Sequence, residues 1–461
     1  MPRFDPADLA TWCGGVWTRW PAAPVTGVCH DTRRLRGGEL FVALGGAQTD
    51  GHNYVEHAFA RGAAAALVSR PPSGGRWPCL VVADTLRALQ ALAGGYRATL
   101  TATLVGVTGS TGKTTVKELI AAMLAAAMPV ARTPGNWNNE LGLPLSLLAM
   151  EPTDRMGVFE VGISHPGEME PLCAMLGPQW GVVTNVGPVH LEYFGSVSAI
   201  AEEKARLLQG LPVDGLAVLA ADEEYFPTLR ERAGCRVVTV ATQGEGADYT
   251  LLAPASGRYE WTVVERQSGE RRPLRVPLPG AHNRANALLA LAVARQAGVE
   301  WDRLLTALAG FVALPMRWEQ VEHGGVLFIN DAYNANPVSM RAALRTFAEL
   351  AAGGRKWLVL GDMLELGVAG DAEHLRLGRE VAAGPWAGLI TLGPLAARIA
   401  AGAEEAGFPA AAIVRCDAAT AAAAALVERL HRGDAVLIKA SRGVHAEDVL
   451  RLVQRGLTQG G

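Results

Sequence analysis

A glycine-rich loop between an apolar strand and a helix with one apolar face constrains the fold of this chain most. The run TLVGV is a strand pattern, GSTGK follows as a loop, and the next segment places Val116, Leu119, Ile120 and Met123 at the spacing of a buried helix face. Glycines let such a loop turn its N–H groups inward at a helix N-terminus, where the helix dipole also favours an anion. The pattern predicts a phosphate-binding loop in an α/β domain.

Two side chains at the end of this loop indicate a nucleoside triphosphate bound with magnesium. Lys113 can reach the β- and γ-phosphates, and the Thr114 hydroxyl is placed to ligate Mg²⁺. The glycine spacing departs from the general P-loop template, because Val107 stands where the first glycine would be. A glycine turn before a core helix is the alternative interpretation, but the strand and helix on either side favour a nucleotide site.

Two further residues are candidate metal ligands. Glu160 lies within the apolar strand pattern GVFEVG, where a carboxylate is costly unless it is paired or bound to a cation. His190 follows the strand pattern GVVTNV in a loop, so we expect it at a carboxyl end of the same sheet. Each residue alone is more often structural, but next to the phosphate loop both become credible ligands.

The hydrophobic patterning divides the chain into three α/β parts. Residues 1–101 alternate short strands and helices, and residues 102–312 form a larger unit that ends with an antiparallel ribbon and a helix. The segment ALPMRW marks the boundary to residues 313–461, where four or five strand-loop-helix repeats predict a Rossmann-like parallel sheet. The expected fold class is therefore α/β with three domains: a small N-terminal domain, a central P-loop ATPase-type domain and a C-terminal Rossmann-like domain.

Composition narrows the class of protein further. The 461 residues carry a net charge of −3 with no block of like charges, which argues against a nucleic-acid partner. The six cysteines are far apart and fit free thiols in a reducing compartment. The N-terminus has no basic patch followed by an apolar run, and the apolar stretches are too short for a membrane span. We expect a soluble, cytoplasmic protein.

Several longer segments together resemble the Mur ligase family over nearly the whole chain. They are DTR with GELFVALGG, TDGHNYVEHAFARGAAAALV, GVTGSTGKTT, TPGNWNNELGLPLSLL, EVGISHPGEM, TNVGPVHLEYFGS, IAEEKARLL, PGAHNRANALLALA, NDAYNANPVSM, LGDMLELG and IKASR. The asparagine-rich segment, NDAYNANP and LGDMLELG resemble the branch that joins D-alanyl-D-alanine to a UDP-N-acetylmuramoyl-tripeptide. The resemblance implies a UDP-binding N-terminal domain, a central ATPase domain and a Rossmann-like C-terminal domain.

The resemblance also implies roles for individual residues. The implied catalytic residues are Lys113, Lys204 and His190. The implied nucleotide-binding residues are Gly109, Ser110, Thr111, Gly112, Lys113, Thr114, Thr115, Asn283 at the adenine, Arg317 at the phosphate and Asp331 at the ribose. The implied metal ligands, direct or through water, are Thr114, Glu160, His190 and Lys204. The implied substrate-binding residues are Thr32, Arg33, Asn138, Asn139, Asn334 and Asn336.

Lys204 illustrates how much of this assignment comes from the resemblance. In SAIAEEKARLLQG the local sequence favours a solvated lysine on a polar helix face. In the family the corresponding lysine is carbamylated by carbon dioxide, which replaces a cation by an anionic oxygen donor suited to a second magnesium ion. Three positions depart from the family pattern: Asn330 replaces an acid, and Met316 and Ala440 replace glycines.

The implied reaction is ATP-dependent amide ligation in peptidoglycan precursor synthesis. ATP would convert the tripeptide carboxylate into an acyl phosphate, which the amine of D-alanyl-D-alanine then attacks. ATP and two magnesium ions are the implied cofactors, the partners are small molecules, and a monomer is expected.

Three alternatives remain open. A family ligase that adds a single diamino acid is weakened by the lack of a DNPR segment in the last part, and a folylpolyglutamate synthase by the UDP-binding-like N-terminal part. A nucleotide-dependent switch would need a basic groove, coiled coil or amphipathic helix for a macromolecular partner, and the sequence shows none.

Overall fold

Three larger sheets and one short strand pair organise the molecule. The computed structural model describes residues 2–46, 49–254 and 261–459. Within these ranges the sheets have five, nine, six and two strands, and each larger sheet is built from one contiguous part of the chain. The segmentation into three α/β parts is therefore visible in the sheets, while the boundary residues stay predictions.

The N-terminal part folds around the five-stranded sheet. Its strands are β1 (Arg3–Phe4), β2 (Val16–Trp17), β3 (Val25–Thr26), β4 (Val28–Cys29), β5 (Leu40–Val42), β6 (Ala65–Val68) and β7 (Cys79–Val81). Its helices are α1 (Pro6–Cys13), α2 (Val55–Ala60) and α3 (Thr85–Thr99), with 3₁₀ turns at Thr32–Arg34 and Gly51–Tyr54. The sheet order is β2-β7-β6-β5-β4, with β4 to β7 parallel and β2 antiparallel, and β1 pairs with β3 separately.

The central part contains the nine-stranded sheet. Its strands are β8 (Thr103–Thr108), β9 (Val130–Arg132), β10 (Met156–Glu160), β11 (Trp180–Val183), β12 (Leu216–Ala220), β13 (Arg236–Ala241), β14 (Tyr249–Leu252), β15 (Trp261–Glu265) and β16 (Glu270–Leu274). Its helices are α4 (Lys113–Ala125), α5 (Gly142–Leu147), α6 (Met169–Leu176), α7 (Leu191–Phe194), α8 (Val197–Gln209), α9 (Phe226–Arg232), α10 (Ala281–Gln296) and α11 (Trp301–Ala309). The order is β16-β15-β14-β13-β12-β11-β8-β10-β9. The seven strands from β14 to β9 in this order are parallel, and the pairs β14–β15 and β15–β16 are antiparallel.

The C-terminal part forms the six-stranded sheet. Its strands are β17 (Glu319–His323), β18 (Val326–Asn330), β19 (Lys356–Gly361), β20 (Gly388–Leu392), β21 (Ile413–Cys416) and β22 (Ala435–Lys439). Its helices are α12 (Pro337–Glu349), α13 (Gly370–Ala382), α14 (Ala396–Glu405), α15 (Ala419–Val427) and α16 (Glu447–Gln459), with 3₁₀ turns at Gly367–Ala369, Ala410–Ala412 and Arg442–Val444. The order is β17-β18-β22-β19-β20-β21, parallel except for the β17–β18 pair.

Strand register in the central sheet brings the predicted site residues together. In the β8–β10 pair Glu160 lies opposite Val107, and in the β8–β11 pair Val183 lies opposite Thr108. The carboxyl ends of three parallel strands therefore meet where the phosphate loop leaves β8. Helix α4 packs its face of Val116, Leu119 and Ile120 into the core, with no exposed surface on any of the three.

The sequence-based elements agree with the structure in type. The strand patterns GVFEVG and GVVTNV correspond to β10 and β11, and the helix predicted after the ribbon is α10. The antiparallel ribbon is present as β14 to β16, and residues 255–260 of that prediction lie outside the described residues. The six cysteines are unpaired thiols. Within the described part of the chain, no helix combines the length and the apolar character needed to cross a bilayer.

Candidate active site

The phosphate loop is a tight connection in which two glycines meet neighbouring side chains. Gly109 has φ 149°, and a Cβ there would lie 1.9 Å from the Thr184 hydroxyl oxygen. Gly112, at the N-cap of α4, has φ 77°, and a Cβ there would lie 2.7 Å from Asn286 Oδ1. Both positions therefore exclude a side chain on steric and conformational grounds.

Asn185 anchors the first half of this loop. The Ser110 N–H donates to the Asn185 carbonyl and the Thr111 N–H donates to Asn185 Oδ1, both at 3.0 Å. Within the described residues, the N–H groups from Lys113 to Thr115 have no such partner. The first N–H groups of α4 are thus the ones that remain to receive an anion.

Lys113 lies folded back over the loop. Its Nζ donates to the Gly109 carbonyl at 2.9 Å. Removal from water lowers the pKa of Lys113, and the nearby Arg317 guanidinium lowers it further, while the Glu160 carboxylate acts in the opposite direction. An anion brought against Lys113 would relieve that cost by pairing with its ammonium group.

Glu160 is the buried acid of the site, with 2% of its surface exposed. Its Oε2 accepts from the Thr114 hydroxyl and its Oε1 from Asn138 Nδ2, both at 2.8 Å. The Thr133 hydroxyl oxygen accepts from the Glu160 N–H at 3.0 Å. Each carboxylate oxygen thus has a partner, as the burial of a charge requires.

The segment that carries Asn138 also touches the N-terminal part. The Trp137 ring lies 6.0 Å from that of His30, and the Arg34 guanidinium lies 5.0 Å from the Trp137 ring centroid. On the other side of the segment, Lys117 Nζ donates to the carbonyls of Thr133 and Gly135. The loop before α5 therefore links the N-terminal part to the buried carboxylate.

Arg317 reaches the site from the segment that joins the central and C-terminal parts. Its Nη2 donates to the Thr114 hydroxyl at 2.8 Å, and its guanidinium lies 3.9 Å from the Tyr333 ring centroid. The flanking Met316 and Trp318 have φ 57° and 56°. Met316 thus stands in the left-handed region, which explains in backbone terms why glycine is favoured at this position.

Tyr333 is expected to hold Arg317 in place through its aromatic face. Replacing Tyr333 by leucine should lower kcat/KM for ATP by about 2- to 30-fold, the range that a cation–π contact of this kind can contribute. Tyr333→Phe retains the ring and should stay within about twofold of the unchanged protein. Steady-state kinetics with varied ATP checks this, and an equal loss in both variants would mean that the phenol oxygen, not the ring face, matters.

Lys204 lies in α8 and is almost fully buried, at 2% exposure. Among the described residues its amine has no hydrogen-bond or ion-pair partner within reach. Burial lowers the pKa of Lys204 well below its ordinary value, and the positive charge of Lys113 lowers it further. The expectation of a solvated lysine, drawn from the local sequence alone, is wrong, because the Lys204 side chain is buried.

His190 caps the start of α7 with φ 51°. Its Nδ1 lies 2.6 Å from Glu365 Oε2, a carboxylate of the C-terminal part. Removal from water lowers the pKa of His190, and the Glu365 carboxylate opposes this effect. The imidazole is therefore placed between the two parts of the molecule.

A cleft of about 850 Å³ collects most of the predicted residues. The predicted residues that line it are Ser110, Thr111, Gly112, Lys113, Thr114, Thr115, Asn138, Asn139, Glu160, His190, Asn283, Arg317, Asp331, Asn334 and Asn336. Gly109 and Lys204 are not among the residues that line the cleft, and Thr32 and Arg33 lie in the N-terminal part outside it. The structure thus brings the central and C-terminal predictions together at one site.

Several predicted contact residues also have structural partners. Asn336 Oδ1 accepts from the Ser339 N–H as the N-cap of α12, and Asn139 Oδ1 accepts from the Gly142 N–H before α5. Asn283 donates to the Pro279 carbonyl, and Asp331 Oδ2 accepts from Lys439 Nζ at 2.7 Å. Each of these side chains is held in one orientation, which is what a preorganised binding surface needs.

Among the cleft residues that were not singled out from the sequence are Asn185, Asn286, Tyr333 and Lys439. All four lie inside segments that carry the family resemblance, namely TNVGPVHLEYFGS, PGAHNRANALLALA, NDAYNANPVSM and IKASR. The signal was therefore present, but nothing in a local pattern shows that Asn185 would anchor the phosphate loop from a neighbouring strand.

The donor set fits a magnesium–nucleotide better than a metal held by protein alone. In the described ranges no group of three His, Cys, Asp or Glu residues could hold a metal ion. The cleft instead offers one buried carboxylate, one hydroxyl and a histidine whose Nδ1 is buried without an aligned hydrogen bond. Magnesium usually takes one or two carboxylates and completes its shell with water and phosphate oxygens.

The fold and the site define a nucleotide-binding α/β protein whose phosphate loop is completed by an arginine from the following domain. Family models match residues 24–97 (Mur ligase family, catalytic domain), 107–294 (Mur ligase middle domain) and 316–442 (Mur ligase, glutamate ligase domain). The chain belongs to the Mur ligase family, and it is an ATP-dependent ligase.

Individual relatives agree with this assignment. The UDP-N-acetylmuramoyl-tripeptide–D-alanyl-D-alanine ligase of Bacillus subtilis is 37% identical, over 93% of this chain and 93% of its own length. The crystal structure of MurF from Acinetobacter baumannii has a TM-score of 0.89 at 28% identity, with 99% of each chain covered. MurF from Thermotoga maritima, solved in complex with ADP, has a TM-score of 0.81 at 29% identity, covering 95% of this chain and 99% of its own.

Proposed function

We propose that this protein joins D-alanyl-D-alanine to a UDP-N-acetylmuramoyl-tripeptide with the use of ATP, in peptidoglycan precursor synthesis. The observation that carries the proposal is the cleft itself, where the phosphate loop of the central part meets Arg317 and Asp331. Full-length similarity to relatives named for this reaction supports the choice of substrates.

ATP is needed because a carboxylate is a poor acyl donor to an amine. The terminal carboxylate of the tripeptide attacks the γ-phosphate, the bond to the ADP oxygen breaks, and an acyl phosphate forms. Both reactants are anions, so Lys113, the N–H groups at the start of α4 and Arg317 would neutralise the charge on the phosphate oxygens. The amine then attacks the acyl carbon, loses a proton and expels phosphate.

The metal part of the proposal rests on Thr114, Glu160, His190 and Lys204. Magnesium, when bound, would supply positive charge that shields the phosphate oxygens from the incoming carboxylate. Thr114 and Glu160 are joined by a hydrogen bond, so their oxygen atoms already lie close together and would both be available to hold the ion. Lys204 is almost fully buried, and carbamylation would convert its amine into an anionic oxygen donor of the kind that a second magnesium ion prefers.

The remaining residue roles follow the positions of the side chains. Asn283 and Asp331 lie on the two sides of the cleft and would contact the adenine and the ribose. Asn138, Asn139, Asn334 and Asn336 would bind the peptide substrates, and Thr32 and Arg33 the uridine diphosphate. Because phosphate and ribose contacts come from different parts of the chain, closure about the segment 313–318 would assemble the site and exclude water from the acyl phosphate.

The proposed setting is the cytoplasm, where the small-molecule substrates and ATP are available, with the protein acting as a monomer. Unpaired thiols support a reducing compartment.

The substrate requirement tests the function directly. Phosphate release should need ATP, the UDP-muramoyl-tripeptide and D-alanyl-D-alanine together. Without the tripeptide the γ-phosphate has no acceptor, and without the dipeptide the acyl group has none. The measurement is a phosphate-release assay with each substrate omitted in turn. Full ATP hydrolysis without either peptide would indicate a switch ATPase, and turnover with a single diamino acid instead of the dipeptide would indicate the other ligase branch.

A further inference from the structure

Two strained residues meet where the central and C-terminal parts touch. Within the described chain, five residues other than glycine have positive φ: His190, Met316, Trp318, Glu365 and His445. Of these five, His190 at φ 51° and Glu365 at φ 62° contact each other across the two parts. Backbone strain in residues with side chains clusters at functional sites, where surrounding structure holds it in place.

The contact joins one imidazole nitrogen to one carboxylate oxygen. His190 Nδ1 lies 2.6 Å from Glu365 Oε2, with 21% of the histidine side chain exposed and 51% of the glutamate. Nδ1 is buried, and its N–H is not aligned with any acceptor in the described residues. The Glu365 carboxylate is therefore placed to accept a hydrogen bond from Nδ1, and a rotation of the imidazole ring would align the N–H with Oε2.

The backbone just before Glu365 is held by two hydrogen bonds to other elements of the C-terminal part. The Leu364 N–H donates to the Ser441 hydroxyl oxygen at 3.0 Å, and the Met363 N–H donates to His374 Nε2 at 2.9 Å. The carboxylate is thus presented by a fixed backbone rather than by a free loop.

The interface is also built for close approach. Gly367 has φ 53°, and a Cβ at this position would lie 2.9 Å from the Glu192 Cα in α7. A side chain here would push the segment away from α7, whose N-cap is His190. The glycine therefore permits the distance at which Glu365 reaches the imidazole.

We infer that Glu365 is a positioning residue, which the C-terminal part delivers to His190 so that the imidazole presents Nε2 to the metal–nucleotide site. Ligating imidazoles generally hold their second nitrogen with a carboxylate or carbonyl, which fixes the ring orientation. This role rests on the proposed metal function of His190. It makes the metal site complete only when the two parts are together, and so links domain closure to metal binding.

Two variants of Glu365 in the full chain test the inference. Glu365→Gln and Glu365→Gly should each weaken Mn²⁺ binding in the presence of ADP by about 10-fold, measured by electron paramagnetic resonance titration. Glu365→Gly should at the same time raise the Tm, because it relieves the left-handed backbone. If Glu365 only supported the structure, the Mn²⁺ affinity and the Tm would fall together, and that result would overturn the inference. The matched control is Glu192→Gln, an exposed acid at the same interface, which should leave both unchanged.

His190→Ala separates this inference from the proposed function. It should weaken Mn²⁺ binding as well, and adding Glu365→Gln to it should cause no further loss, because Glu365 acts through His190. If His190→Ala weakens binding and Glu365→Gln does not, the positioning role is wrong and the metal role stands. If neither variant changes Mn²⁺ binding, the metal role of His190 is wrong as well.

Discussion

Replacing Lys113 by alanine is expected to lower the rate of ADP release by about 100- to 1,000-fold. Lys113 is the cation of the phosphate loop, and its Nζ now rests on the Gly109 carbonyl, a contact that it can exchange for phosphate oxygens. No other lysine lines the cleft on the side of the central part, among the residues that the structure describes. Its loss would leave two anions to react without their nearest neutralising charge. Coupled spectrophotometric measurement of ADP, at saturating ATP and both peptides, gives the rate.

Lys356→Ala is the matched control, because Lys356 is a half-buried lysine of the C-terminal sheet that does not line the cleft. The Lys356→Ala variant should keep normal turnover, and a measurement of its Tm checks that it is folded. An activity in Lys113→Ala above about a tenth of the unchanged protein would contradict the assignment of the phosphate loop. Arg317 would then have to carry the charge neutralisation alone.

The phosphate loop could be predicted from sequence because it is a local structure. Strand, glycine loop and helix are consecutive, so the alternation of apolar residues and the glycines at 109 and 112 suffice to place Lys113 and Thr114. Glu160 was also within reach, since a carboxylate in a buried strand needs a partner. The pattern could not identify that partner, because β10 and β8 are neighbours in the sheet but are not consecutive strands in the sequence.

The contacts that cross between the parts of the chain had no local signal. Arg317 and Thr114 are 203 positions apart and meet at 2.8 Å, and Glu365 reaches His190 from another loop. Such pairs depend on how two separately folded sheets face each other. The spacing of apolar residues along helices and strands does not encode this arrangement. Similarity to a known family supplied Arg317, whereas Glu365 emerged only from its backbone conformation and its distance to His190.

Lys204 shows where local patterning misleads. The run EEK suggests one polar face, yet Glu202 is exposed while Glu203 and Lys204 are buried. Glu203 is stabilised there because its Oε1 accepts from the N–H groups of Gly167 and Met169 at the start of α6. Lys204 has no comparable hydrogen bond in the described structure, and an almost fully buried lysine without a partner calls for a functional explanation.

Replacing Lys204 by alanine is therefore the second test with a large expected effect. If Lys204 serves as a carbamate, the variant loses an anionic oxygen donor and should lose about 100-fold or more of its turnover. A small carboxylic acid such as acetate should restore part of this activity, because it can occupy the space left by the side chain and supply an oxygen donor. The burial of Lys204 favours the reaction, since it lowers the pKa of the amine and so favours the neutral form, which can attack carbon dioxide and lose a proton to give the carbamate.

Lys113→Ala provides the matched control for this rescue. A carboxylate cannot replace a cation, so acetate should leave the activity of Lys113→Ala unchanged, even though both lysines lie close enough to influence each other. Rescue of Lys204→Ala but not of Lys113→Ala would separate an oxygen donor from a positive charge. Unimpaired activity in Lys204→Ala would remove the carbamate from the mechanism, and loss without rescue by acids of different size would favour a neutral amine as the functional group. If the neutral amine is the functional group, depletion of carbon dioxide should not change the activity of the unchanged protein. If the carbamate is the functional group, depletion should lower this activity and bicarbonate should restore it.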